Sequence, residues 1–325
     1  MLPTEVAKEV VRPALVGTCF CFILIAVEAK SSTAEEVVGR RQFSDQLVIP
    51  EPFVEDELAF PSILHIVRPR RGDEPRTRTT QIGVELKKRL TADFELSLGG
   101  SLLELSPDGK PTTTGFGNLE VGLKYQFLRD PSREAVASIA LNWEVGGTGR
   151  AAAGAESFDT FSPSILAGKG FGDLPDRLAI FRPLAVAGRL GADIPTRASS
   201  RPVTAGGAEV RHPDTIAWGV VAEYSLPYLM TSTTNLNLPA PLNGLVPLVE
   251  LDLRTGLDRG QSGRTTGTTN VGAVWIGKRI QIGVETVVPI NERSGKNVGI
   301  RGFVRFDLDL VLGERAGRPL FGPDH

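Results

Sequence analysis

Cysteine is almost missing from this chain. Only Cys19 and Cys21 occur, and both fall inside the apolar run Ala14–Val27. Beyond that run, disulfide scaffolds, thiolate zinc sites and cysteine nucleophiles are excluded. Histidine is nearly as scarce. His65, His212 and His325 lie far apart, without the paired spacing of a metal site. No Gly-x-Ser-x-Gly elbow occurs, and no Gly-Lys is followed by Ser or Thr, which removes two common signatures of catalysis and phosphate binding. No enzyme activity, cofactor or metal is therefore expected. Neither sign of charge dominates: 36 Lys+Arg face 38 Asp+Glu, which leaves no basic footprint for nucleic acid. After Val27 no apolar run is long enough for a membrane helix, and mean hydropathy is close to neutral.

The N-terminus does carry an export pattern. Lys8 and Arg12 precede the apolar run, and Val27-Glu28-Ala29 places small residues at −3 and −1. Residues 1–29 are read as a signal peptide cleaved after Ala29. Residues 30–52 are polar and aperiodic. They are expected to form a periplasmic or plugging N-terminal segment, partly helical around Ala34–Arg41. Residues 53–325 are assigned to the main body.

That body is built on period-two alternation. In Gly117–Leu128, Leu119, Val121, Leu123, Tyr125 and Phe127 point one way, while Glu120, Lys124 and Gln126 point the other. Similar stretches recur at Glu57–Arg68, Thr79–Leu90, Phe94–Leu105, Glu134–Val145, Phe158–Lys169 and Arg182–Asp193. They continue at Thr215–Leu226, Leu245–Thr255, Thr268–Gly277, Arg279–Ile290 and Val298–Leu310. Most exceed the roughly five or six residues of an ordinary strand and match the roughly nine to eleven of a tilted membrane strand. Short turns (90–93, 129–133, 277–278) are interleaved with long loops (106–115, 146–157, 194–211, 257–266), as in outer-membrane proteins. Hydrocarbon offers no hydrogen-bond partners, so such a sheet must close on itself. The expected fold is all-β: a single antiparallel up-and-down transmembrane β-barrel of about twelve strands. The alternation gives its greasy face to lipid.

The polar faces then turn inward. They carry Glu85, Lys87, Glu95, Glu120, Lys124, Glu144, Arg189, Glu223, Glu250, Asp252, Arg254, Glu285, Arg301, Arg305 and Asp307. Such a lumen reads equally as a polar pore lining or as a sealed, salt-bridged interior, because unpaired charge there is costly unless hydrated. Phe60, Phe94, Phe127, Trp143, Phe158, Phe161, Phe171, Trp218, Tyr228 and Trp275 are candidates for aromatic girdles at the two rims.

Four segments also carry a resemblance. Phe53–Leu58 (FVEDEL), Gly168–Pro175 (GKGFGDLP), Glu223–Leu229 (EYSLPYL) and Val288–Asn291 (VPIN) resemble bacterial outer-membrane barrels grouped with the phenol meta-cleavage pathway. The similarity runs from about Phe53 to Phe321. It implies an outer-membrane location and uptake of small, often aromatic or apolar, solutes by diffusion through the lumen. It supplies no catalytic residues. The implied partners are outer-membrane lipid, a small solute and the outer-membrane assembly machinery. The alternative expectation is a closed structural or interaction barrel without transport. The chain departs from the usual terminal aromatic by continuing past Phe321 with Gly322-Pro323-Asp324-His325.

Overall fold

The structure is a computed structural model that describes residues 37–70, 75–200, 209–234 and 236–322. The expected signal peptide lies outside the described residues. Twelve long strands form the body: β1 (Glu57–Arg68), β2 (Thr77–Thr91), β3 (Phe94–Pro107), β4 (Leu119–Asp130), β5 (Ala135–Val145) and β6 (Thr160–Gly170), then β7 (Leu184–Pro195), β8 (Thr215–Tyr224), β9 (Leu245–Gly256), β10 (Thr265–Ile276), β11 (Ile280–Pro289) and β12 (Gly299–Asp307). Each pairs antiparallel with the next, and β12 pairs with β1, so the ring closes and no long strand is left as an edge. Pro61 does not break β1. The register shifts between Ala59 and Ser62, and this irregularity takes up the missing donor.

Burial is inverted relative to a water-soluble sheet. On β4, Tyr125 and Phe127 are 45% and 52% exposed, whereas Lys124 and Gln126 are 7% and 5% exposed. The same holds around the ring. Phe60, Val84, Leu98, Leu123, Leu141, Ile165, Leu190, Val220, Val249, Val271, Val284 and Ile300, one from each strand, are all exposed. No second protein layer covers them among the described residues. A continuous apolar belt of this kind is costly in water and favourable in hydrocarbon. Trp143 stacks on Phe161 at 5.9 Å near one end of the ring, and Phe94 meets Tyr125 at 6.4 Å near the other.

Both ends of the ring's chain, Glu57 and Asp307, lie at one end, here called proximal. The distal connections (69–76, 108–118, 146–159, 196–214, 257–264, 290–298) are all long. The proximal ones are not uniformly short. Residues 92–93, 131–134 and 277–279 are tight, but 171–183 and 225–244 are extended and hold a 3-10 turn (Asp176–Phe181) and a helix, α1 (Leu226–Ser232). The strict alternation of loop lengths is therefore corrected, and the reason is local: both long proximal connections grip the N-terminal segment. Two further corrections concern the chain's ends. Val37–Val38 pairs with Arg41–Gln42 as a small hairpin, not a helix. The last strand stops at Asp307, because Leu308 is buried and begins a second helix, α2 (Leu308–Leu312), its N–H donating to the Asp56 carbonyl at 2.9 Å. Phe158 and Tyr228 are buried, so they belong to no girdle.

Candidate functional site

Residues 43–56 have almost no secondary structure of their own, so their backbone groups need partners elsewhere. They find them on the inward faces of seven strands, β3, β4, β5, β8, β9, β11 and β12, and Lys87 on β2 adds a bond to the Glu51 side chain. A segment bonded to so many staves of a ring lies inside it. It enters at the proximal end, rises to about mid-height and returns to start β1.

Entry is fixed by Arg41, which is fully buried. Its Nε donates to Glu134 Oε2 at 2.9 Å and its Nη1 to the Pro183 carbonyl at 3.0 Å, while Nη2 reaches the Arg182 carbonyl. The guanidinium also sits 4.3 Å from the Tyr228 ring centroid. The Tyr228 hydroxyl donates to Glu134 Oε1 at 2.9 Å. Burial, helped by Glu134, raises the Tyr228 hydroxyl's pKa and keeps it a donor. Gly170 and Gly172 make room here. A Cβ on Gly170 would lie 2.2 Å from Arg41 Nε, and one on Gly172 2.2 Å from the Tyr228 hydroxyl.

Mid-lumen, the wall's charges serve the segment's backbone. Glu250 accepts from the N–H groups of Leu47, Val48 and Ile49 at 2.7, 2.9 and 3.1 Å. Glu223 accepts from Ser44 N–H at 3.2 Å and from its hydroxyl. Arg301 donates to the Leu47 carbonyl and Arg305 to the Gln46 carbonyl, both at 2.8 Å. On the return, Lys124 donates to the Phe53 carbonyl at 2.6 Å, and Glu95 accepts from Glu55 N–H at 2.8 Å. Lys87 donates to Glu51 and Glu55, each at 2.9 Å. Burial would raise the Glu51 carboxyl, but Arg305, Lys87 and Lys124 outweigh it and hold it well below the usual carboxylate range. Apolar packing adds to this: Phe43 and Phe53 meet at 5.2 Å beside Val136 and Ala185.

Beyond the segment's apex, Gln46–Glu51, a cavity of about 270 Å³ opens in the lumen. Its walls include Gln81, Glu85, Ser97, Glu120, Asn142, Ser162, Arg189 and Asp193. Register places Glu85 opposite Gly99, Gly99 opposite Glu120 and Glu120 opposite Glu144, so three glutamates share one row across four strands. Elsewhere on the wall the charges pair. Arg189 meets Asp252 at 2.8 Å, and Arg254 meets Asp252 at 2.9 Å and Asp193 at 3.1 Å.

The fifteen lumen candidates thus fall into groups. Lys87, Glu95, Lys124, Glu223, Glu250, Arg301 and Arg305 bind the N-terminal segment. Glu85, Glu120 and Arg189 border the cavity, with Asp252 and Arg254 in the adjoining ion-pair chain. Glu144 accepts from Asn118 at 2.8 Å. Glu285 is buried opposite Arg301 in register, and Asp307 closes β12. Sequence reasoning missed Arg41, Ser44, Asp45, Glu51, Glu55, Glu57, Gln126, Glu134, Ser138 and Gln281. A signal for some of them existed. The segments 53–58, 168–175 and 223–229, singled out for their resemblance, all converge on residues 41–56.

No protein-family model matches the chain, and no curated protein matches it. Solved structures do. The COG4313 outer membrane channel from Pseudomonas putida F1 is similar at 13% identity and TM-score 0.53, covering 78% of this chain and 95% of that one. A KdgM porin gives 14% identity and TM-score 0.43, over 76% and 98% of the two chains. A NanC porin gives 8% and 0.44 over the same shares. At such identities the likeness is one of fold: a closed antiparallel β-barrel.

Proposed function

We propose that this chain is an outer-membrane channel for small solutes, exported through residues 1–29 and closed at rest by residues 37–56. The observation that carries the reading is what fills the lumen. A barrel sealed for good can close with wall side chains alone; here the filler is a separate loop of chain, and a cavity opens above it. The inverted burial of all twelve strands supports the membrane setting, which also implies lipid and the assembly machinery as partners. Solutes would enter the cavity from the distal end, meet the glutamate row and the Arg189 side, and pass when thermal motion displaces the loop. The resemblance to the meta-cleavage-pathway group favours aromatic or apolar compounds. The polar walls favour those that also carry a hydroxyl or a charge.

The test is single-channel recording of the refolded full chain beside a variant lacking residues 37–52. The expected result is brief, small openings for the full chain and a steady, larger conductance for the deletion. Flat traces from both, with the barrel folded, would reject the channel. A second reading, a closed interaction barrel, draws on how completely the loop is bonded, and flat traces are its prediction.

A further inference from the structure

Charge does not balance where the loop returns to the wall. Asp45, Glu51, Glu55 and Glu57 are all buried there, at 5% exposure or less. Two cations serve these four carboxylates. Lys87 Nζ lies 2.9 Å from Glu51, 2.9 Å from Glu55 and 3.3 Å from Glu57. Arg305 pairs with Asp45 and Glu51, and its Nε is 3.6 Å from Glu57. The nearby cations are committed elsewhere: Lys124 to Glu95 at 3.1 Å, and Lys88 and Arg89 to Asp56. Four negative charges less two positive ones leave a formal −2 in a site shielded from water. Burying uncompensated charge is costly, on the scale of a small domain's whole stability.

Part of the surplus falls on carboxylate oxygens that accept no hydrogen bond. Asp45 Oδ2 and Glu55 Oε1 are buried and accept no hydrogen bond, and Glu57 Oε1, though 3.3 Å from Lys87 Nζ, accepts none either. One carboxylate oxygen from each of Asp45, Glu55 and Glu57 lies within 4.8 Å of the other two. Calcium–oxygen bonds of about 2.3–2.6 Å would span such a triangle from a central ion, and Ca²⁺ tolerates the irregular, carboxylate-rich shell. We propose that Asp45, Glu55 and Glu57 bind one divalent cation of the Ca²⁺ class, which neutralises the surplus and pins the loop to the first barrel strand. Asp45 lies on the rising arm, Glu55 on the returning arm and Glu57 in β1. The ion therefore ties the turn of the loop to the wall, and losing it loosens closure.

The test uses the full chain refolded in detergent, stripped with EDTA, then given Ca²⁺ alone. Bound Ca²⁺ is counted by atomic emission, Tb³⁺ luminescence is titrated, and melting is followed with and without the ion. About one Ca²⁺ per chain is expected, with a higher melting temperature in its presence. The variant Asp45→Asn with Glu55→Gln removes the formal −2, so it is expected to fold, bind no Ca²⁺ and melt alike in Ca²⁺ or EDTA. Glu57→Gln alone is expected to weaken Tb³⁺ binding about tenfold by removing one ligand and one charge. Absence of stoichiometric Ca²⁺ in the wild-type chain overturns the site, since protons then carry the balance. Equal Ca²⁺ binding by wild type and double variant overturns it too, by placing the ion elsewhere. Ion counting is independent of conductance, so a flat channel that binds Ca²⁺ rejects the channel and keeps the site.

Discussion

The proximal and distal halves of the lumen have the same kind of wall and use it differently. In the proximal half the inward charges are spent on a strand-less piece of the same chain: Glu223, Glu250, Arg301 and Arg305 bond its backbone. In the distal half they pair with one another, as Arg189, Asp252, Arg254 and Asp193 do, or face the cavity, as Glu85 and Glu120 do. A charged lumen is therefore not one thing. Where chain fills the space, wall charge replaces water as the backbone's partner. Where space remains, wall charge sets the field a solute meets. Variants in the two halves should separate on that line.

The largest effect belongs to Arg305→Ala. It removes the guanidinium shared by Asp45 and Glu51 and the donor to the Gln46 carbonyl. The carboxylates left behind are buried, and breaking a buried pair from one side costs about 3–5 kcal/mol. The loop, not the sheet, should bear this cost. Protease cleavage within residues 43–56 should become fast while the barrel band stays resistant, and conductance should rise. Cleavage as slow as in the wild type would erase the distinction between the halves.

Arg41→Ala should come next. It loses the ion pair with Glu134 and the donors to Pro183 and Arg182, but its site lies at the proximal rim, where water can enter and solvate Glu134. About 2–3 kcal/mol is expected from the lost charged hydrogen bonds. Tyr228→Phe removes a single hydroxyl from the same latch and should cost about 1 kcal/mol. Fast hydrogen exchange confined to residues 37–46 in Arg41→Ala is the expected readout. Exchange that spreads to the apex at Leu47–Ile49 would mean that the latch holds the whole loop.

The ring was legible in the sequence because alternation over ten or more residues is a direct print of a two-sided environment. Gly117–Leu128 alone carries both faces, and the structure keeps them. The inward direction of Lys87 or Glu250 followed from the same pattern. What those groups touch did not follow, since period two reports a face and never a partner. Residues 43–56 hid for a related reason. Asp45 and Glu51 fall in a polar, aperiodic stretch and Glu55, Asp56 and Glu57 at the entry to the first strand, and only burial inside the ring turns them into a charge cluster. Arg41 itself gave no warning: one of two adjacent arginines in an aperiodic segment finds Glu134 and Tyr228 across more than ninety residues. The motif GKGFGDLP carried a sign of it, because glycines at 170 and 172 are needed where Arg41, Glu134 and Tyr228 crowd the backbone.

Charged wall groups that the loop does engage should rank between Arg41→Ala and the cavity. Glu250→Gln keeps the shape and an acceptor but loses the charge that three N–H groups share, and one amide nitrogen becomes a misplaced donor. A loss of about 1.5–2 kcal/mol follows from the weaker neutral bonds, read as faster hydrogen exchange at Leu47–Ile49. Unchanged exchange there would show that shape alone holds the apex.

The smallest effect on stability, and the clearest on selectivity, is expected from Glu120→Gln. Glu120 touches none of the loop's bonded groups, sits next to Glu144 in register and is separated from Glu85 only by Gly99. Like charges directly opposite on neighbouring strands repel, so neutralising the middle one relieves repulsion and should leave stability within about 0.5 kcal/mol. Its field acts instead on whatever occupies the cavity, where low-dielectric walls focus it. In the background lacking residues 37–52, so that current is measurable, the reversal potential under a KCl gradient should shift toward anions on Glu120→Gln and further on adding Glu85→Gln. The wall opposite, with Arg189, then contributes a larger share of the field. An unchanged reversal potential would place the narrowest charged passage away from the glutamate row. A large loss of stability would mean that the row is bound to the loop after all, and the division between the two halves would fail at the residue chosen to mark it.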